Sequence, residues 1–266
     1  MTKIFRIGQI VPSSNTTMET EIPAIFRARE AAHPERFTFH SSRMRMQKVE
    51  RAELAAMDAQ SLRCAAELGD ARMDVIGYAC LVAIMAMGPG YHRQSEARLG
   101  TVAAETGGPA PIVTSAGALV DGLTALGAKS VAILTPYMKP LTQLVVDYIE
   151  NEGIIVTNHL SLEIPDNLAV GRRDPMAALN ESARLDLGGA DALVLSACVQ
   201  MPSLAAIEIA QQRYGLPVVS AATCTTRAML LALGLSPHIE GFGAALSRPD
   251  LLHFAPSRSA LLHSIV

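Results

Sequence analysis

The chain is expected to be an α/β protein of two pseudo-symmetric lobes, each a four-stranded parallel sheet flanked by helices, with a cleft between them. Three observations carry that expectation. Short, nearly unbroken apolar runs recur along the 266 residues, the pattern of strands buried on both faces of a parallel sheet. Segments with helical periodicity separate them, so parallel strands joined by right-handed crossovers are the expected geometry. The order of elements then occurs twice. Pro12 matches Pro136 at an offset of 124, Cys80 matches Cys198 at 118, and Pro111 (PIVTSAGAL) matches Pro217 (PVVSAATCT) at 106. The offset shrinks because connections in the second half are shorter.

Taken in order, residues 4–11 (IFRIGQIV) read as the first strand. In the PSSNTTME that follows, Ser13, Ser14 and Asn15 are helix-cap types, and a helix is expected from Thr16 or Thr17. Residues 36–42 alternate like a second strand, and 50–68 have helical periodicity and helix-favouring residues. The run 74–79 is a buried strand ending at Cys80, after which GPGYH turns into a helix over 92–105. A short strand at 111–114 and a helix over 116–126 close the first half at Gly127. The second half replays this: a strand at 130–135, PYMKP and a helix to about 152, a strand at 154–159 and a helix over 175–187. The Cys198 strand, a helix over 203–214, a strand at 217–221 and a helix to 233 complete it. The division expected is a lobe over 1–127, its pseudo-repeat over 128–235, and a less patterned tail, 236–266, packing back on both.

Bulk composition narrows the class. Half the residues are hydrophobic, aromatics are few and Trp is absent, which fits a doubly wound α/β protein better than a β-sandwich. A net charge of −3 and the lack of a basic stripe interleaved with aromatics exclude a nucleic-acid reading. The start, MTKIFRIGQIVPSSN, opens no 18-residue apolar run and holds no small-residue cleavage site, so neither a membrane span nor a signal peptide is expected, and a cytoplasmic location follows by default. The cysteines at 64, 80, 198 and 224 form no CxxC pair and no zinc spacing with His92 or His159, so no metal is expected. Phosphate-cradling and dinucleotide motifs, and the G-x-S-x-G elbow, are also absent, which favours a cofactor-free enzyme.

Cys64 and Cys224 read as small core hydrophobes. Cys80 and Cys198 stand apart because each ends an equivalent buried strand, and ligands of open α/β sheets bind beyond the carboxyl ends of strands. One cleft with a thiol on each wall is the simplest arrangement. Asn15, Tyr137, Asn167, Ser13 and Ser14 sit in loops at the same ends and are neutral donors. Backbone N–H groups at Leu81, Val82, Val199 and Gln200 would join them if helices begin there, a donor set suited to an anionic ligand. A helix N-terminus would also acidify the thiol, making Cys80 a nucleophile or base and Cys198 its proton-donating counterpart.

The stretches GQIVPSSNTTMETEIP, FTFHSSRMRM, GYACLVAIMAMG, PYMKPL, EIPDNLAV and LSACVQM carry a close resemblance over nearly the whole chain. With them the chain resembles the maleate cis–trans isomerases of the aspartate/glutamate racemase and arylmalonate decarboxylase superfamily. The resemblance implies that Cys80 adds as thiolate to an olefinic carbon of maleate, that the adduct rotates about its C2–C3 single bond, and that elimination releases fumarate. It implies Cys198 as proton donor and acceptor, and Asn15, Tyr137, Asn167 and the backbone at Cys80–Val82 and Val199–Gln200 as holders of the carboxylates. It also implies a homodimer, and a place at the end of bacterial degradation of nicotinate-type aromatic acids. Two rivals share the superfamily: a racemase using both cysteines as bases, which needs a group for the substrate ammonium, and an arylmalonate decarboxylase, which typically uses one cysteine. A non-catalytic dicarboxylate sensor is the rival from another class; it would keep ligand affinity without either thiol.

Overall fold

The computed structural model describes residues 3–46, 49 and 51–247, without the side chains of 51 and 52. The first half runs β1 (Ile4–Pro12), α1 (Met18–Ala32), β2 (Arg36–Met44), α2 (Arg51–Asp70), β3 (Val75–Tyr78), α3 (Leu81–Met85), α4 (Tyr91–Glu105), β4 (Ile112–Thr114) and α5 (Ser115–Ala125). The second runs β5 (Ser130–Thr135), α6 (Lys139–Asn151), β6 (Ile155–Ser161), α7 (Asn167–Gly171), α8 (Ala177–Ser182), β7 (Ala192–Ser196), α9 (Leu204–Tyr214), β8 (Val218–Ser220) and α10 (Ala221–Ala232). Two four-stranded sheets result, ordered β2-β1-β3-β4 and β6-β5-β7-β8, with every pairing parallel.

Strand composition follows position in the sheet. Every residue of β3 and β7, the inner strands that lead to the cysteines, is buried, whereas the edge strands β2 and β6 alternate toward solvent. The repeat holds at the level of single hydrogen bonds. Ala79 N–H donates to Ile10 O and Ala197 N–H donates to Leu134 O, each at 3.0 Å, so the residue before each cysteine is tied to the central strand beside it.

Three local expectations change. The helix expected over 175–187 is confined to α8, because Pro175 lies in the turn before it and Asp186 Oδ1 accepts from Gly188 N–H after it. The loop expected around Asn167 becomes helical from that residue, where Asp166 Oδ1 caps Leu168 N–H at 2.9 Å. No helix begins at Val199–Gln200; those residues form a turn, and α9 starts only at Leu204.

One helix crosses between the halves. α10 packs against α5, α1 and the strands β3 and β4. Gly77 in β3 makes room for it: a Cβ there would come within 1.8 Å of Met229 Cε. Residues 236–247 return to the body, with Ala244 N–H on Val218 O and Ser236 O accepting from buried Arg29. Residues 248–266 lie outside the described residues.

Candidate active site

The central strands set the site. Asn15 comes three residues beyond β1, and Cys80, Tyr137 and Cys198 come two residues beyond β3, β5 and β7. The segment after β6 stays paired with the one after β5: Leu162, Glu163 and Ile164 donate in turn to Thr135 O, Tyr137 O and Pro136 O. That pairing carries the chain to Asn167 at the start of α7.

These residues meet around one narrow cavity, lined by Asn15, Cys80, Val82, Tyr137, Asn167, Cys198, Val199 and Gln200. Leu81 is the exception among the expected residues; it is fully buried behind Cys80 as the first residue of α3 and does not line the space. Pro12, Met46 and Val49 also line it and were not singled out from the sequence. The signal for the last two is an apolar residue recurring within the charged stretch RMRMQKVERAE. Cys64 and Cys224 are buried elsewhere, as core residues.

Cys80 sits at φ 86°, ψ 69°, a left-handed conformation unusual for a residue with a Cβ. Such strain costs of order 1–3 kcal/mol and persists where the surroundings over-determine it. Burial pushes its thiol up to about 12; the Ala83 N–H bonded to the sulfur opposes the rise, and the nearby Cys198 thiol adds to it. This corrects the expected acidification. A five-residue helix supplies one N–H, and loss of water outweighs it. Burial also raises the Cys198 thiol, against the Tyr137 hydroxyl and the Gln200 and Met201 N–H groups that bond to it. Helix-like donors therefore surround Cys198 without a helix: the turn at 199–201 supplies them.

The amides are oriented by their neighbours. Asn15 Oδ1 accepts from Met18 N–H at 3.1 Å, leaving Nδ2 without a protein partner among the described residues. Asn167 Nδ2 donates to Ser14 Oγ at 2.8 Å. Ser13 is turned away, with its hydroxyl and N–H engaged by Met46 and Met44 at the end of β2. Tyr137 donates to Ala197 O at 3.3 Å beside the Cys198 thiol. Among the described residues the lining holds no charged side chain. Lys139 and Glu163 pair with each other outside it.

This arrangement places two thiols and several neutral donors around one cavity. A family model for arylmalonate decarboxylase matches residues 7–246. A maleate isomerase of Pseudomonas putida is 62% identical over 247 residues, covering 93% of this chain and 99% of that protein. The crystal structure of a mutant maleate isomerase of the same species with maleate superposes at TM-score 0.91 and 60% identity, over 92% of this chain and 98% of that one. A Nocardia farcinica maleate cis–trans isomerase mutant with a covalently bound succinylcysteine intermediate superposes at TM-score 0.87 and 47% identity, over 91% and 98%. With that cavity, that fold and identity across nearly its whole length, the chain belongs to the arylmalonate decarboxylase family and, within it, to the maleate isomerases.

Proposed function

We propose that this chain isomerises maleate to fumarate, with Cys80 as nucleophile and Cys198 as proton carrier. The observation that carries the assignment is the single uncharged cavity lined by both thiols and by Asn15, Asn167 and Tyr137. The succinylcysteine trapped in the Nocardia relative supports a cysteine adduct.

The reaction begins when the Cys80 thiol gives up its proton to water, and the thiolate so formed makes a bond to C2 of maleate while the π pair moves to C3 and its carboxylate. The Cys198 thiol protonates C3, leaving a succinyl thioether whose C2–C3 bond is single and free to rotate. Cys198 thiolate then removes a proton from C3, the double bond re-forms and the C–S bond breaks, releasing fumarate and the Cys80 thiolate. Atoms balance without a redox partner. Asn15 Nδ2 and the Val82 and Val199 N–H groups stabilise charge as it moves onto the carboxylate. Ser14 Oγ can donate as well as accept, so half a turn of the Asn167 amide aims its Nδ2 at the substrate. Tyr137 steadies the Cys198 thiol.

A racemase reading would require a carboxylate for the substrate ammonium. Among the described residues none lines the cavity; Glu163 pairs with Lys139 and Asp166 caps α7. The same proposal takes 1–127 and 128–235 as two lobes with residues 236–247 packed on them, and the protein as a cytoplasmic homodimer. The four unpaired cysteines support a reducing compartment. The membrane alternative has no support in the helices: among the described residues none is long and apolar enough to span a bilayer.

The test is proton NMR of maleate with purified protein and no added cofactor, beside Cys80→Ala and Cys198→Ala. Fumarate should form with the wild type, fall below detection with Cys80→Ala, and form at least about a hundredfold more slowly with Cys198→Ala. Normal turnover by Cys80→Ala would sink the assignment of the nucleophile.

A further inference from the structure

Gln200 lies in the turn after Cys198, and its buried side chain is engaged at every position it offers. Oε1 accepts from Thr16 N–H at 3.1 Å and from Thr17 N–H at 3.4 Å. Nε2 donates to Ser14 O at 3.0 Å and to Asn167 O at 2.9 Å. Its carbonyl accepts from Thr17 Oγ1 at 2.8 Å. One amide thus ties three segments together: the β1–α1 loop that carries Asn15, the start of α7 that carries Asn167, and the turn whose N–H groups bond to the Cys198 thiol. No other side chain among the described residues hydrogen-bonds to all three.

A second contact from the first half reinforces the joint. Glu21, one turn into α1, accepts from Ser203 N–H and Leu204 N–H, both at 2.7 Å, and so caps α9 from across the cleft. Gly171 closes the last side. A Cβ there would come within 2.4 Å of Gln200 Nε2 and 2.9 Å of its Cδ, so the last residue of α7 must be glycine for the amide to sit where it does.

We propose that the Gln200 side chain is a positioning residue, a cross-cleft latch that sets Asn15 and Asn167 against the Cys198 turn. This rests on the isomerase reading above. The amide has no hydrogen-bonding capacity left for substrate, so its effect on the reaction passes through the groups it holds. Misplacement of carboxylate-holding amides should raise KM and lower kcat together, since small displacements weaken both binding and the stabilisation of developing charge.

Three variants test the latch with maleate as the probe. Gln200→Glu keeps the shape but sets carboxylate oxygens against Ser14 O and Asn167 O, and should lower kcat/KM roughly tenfold to a hundredfold. Its activity relative to wild type should recover partly as pH falls from about 8 to about 6, because the protonated acid donates again to one carbonyl. Gly171→Ala displaces the amide without touching a substrate-facing group. It should lower kcat/KM by about fivefold or more, beyond what any fall in folded fraction at the assay temperature accounts for. Gln200→Ala should show the largest loss; if it fails to fold, the other two decide. Gln200→Glu and Gly171→Ala with kcat/KM within twofold of wild type, or losses that vanish once corrected for folded fraction, would overturn the latch. Failure of the isomerase reading looks different: wild type itself would produce no fumarate.

Discussion

At the scale of single residues, Cys80 shows how much solvent decides. Its left-handed backbone turns the thiol out of β3 toward the cavity, and α3 places one N–H on the sulfur. Burial nevertheless pushes the thiol up to about 12, so the empty site near pH 7 holds the neutral form. The sign gives a direct expectation. Because the folded value lies above the ordinary one, alkylation of Cys80 by iodoacetamide should be slow at neutral pH and rise about tenfold per pH unit from about 7 to about 9. A plateau already reached at neutral pH, followed by mass spectrometry of the Cys80 peptide, would mean that the helix terminus outweighs desolvation after all. The geometry of the donors also explains why no guanidinium is needed in the described lining. Asn15 Nδ2 and the backbone N–H groups are fixed before substrate arrives, and fixed dipoles in a dry site act more strongly than in water.

At the scale of elements, the joint between α5 and α10 is as close as side chains allow. Gly122 of α5 faces Cys224 of α10, and a Cβ on Gly122 would lie 2.6 Å from Cys224 Sγ and 3.2 Å from its Cβ. This gives the buried Cys224 a packing role consistent with its lack of any site function. Gly122→Ala should destabilise the protein by about 1–3 kcal/mol through overpacking, less what alanine returns as the better helix former. Denaturant unfolding checks it, and adding Cys224→Ala should restore part of the loss by removing the sulfur. A Gly122→Ala protein more stable than wild type would show that the two helices separate without cost. The crossing matters for the site because α10 also packs on β3, the strand that ends two residues before Cys80.

For the whole molecule, burial of many weak acids sets the alkaline limit. Desolvation pushes Cys80, Cys224, Tyr91 and Tyr148 up to about 12, and holds Tyr78 and Tyr137 well above their ordinary value. Each has a folded value above the unfolded one. Its contribution to stability is therefore fully present below the unfolded value, near 9 for cysteine and 10 for tyrosine, and is lost as pH climbs through the folded value. The thermal midpoint should be insensitive to these groups below about pH 8.5 and fall with increasing slope above about pH 9. Circular dichroism melts across that range measure it; a midpoint unchanged at pH 11 would mean that these groups ionise in the folded state at little cost.

The same scale shows what was legible in the chain. The parallel sheets follow from local pattern: the unbroken apolar runs of β3 and β7 specify strands buried on both faces and the alternating β2 an exposed edge, whereas the short edges β4 and β8 carry no such mark. That the twin cysteines, the strand-end asparagines and Tyr137 would meet at one cavity was legible because strand ends are where α/β ligands bind, a rule that needs no coordinates. What only the tertiary structure decided depends on contacts between residues far apart in the chain. Met46 and Val49 reach the cavity across the sheet edge, and the thiols are driven up rather than down by desolvation. Gln200 spends its whole side chain on Ser14, Thr16, Thr17 and Asn167. Periodicity and turn chemistry are local and can be read from neighbours in sequence; dielectric environment and cross-cleft hydrogen bonds exist only once both halves have closed on one another.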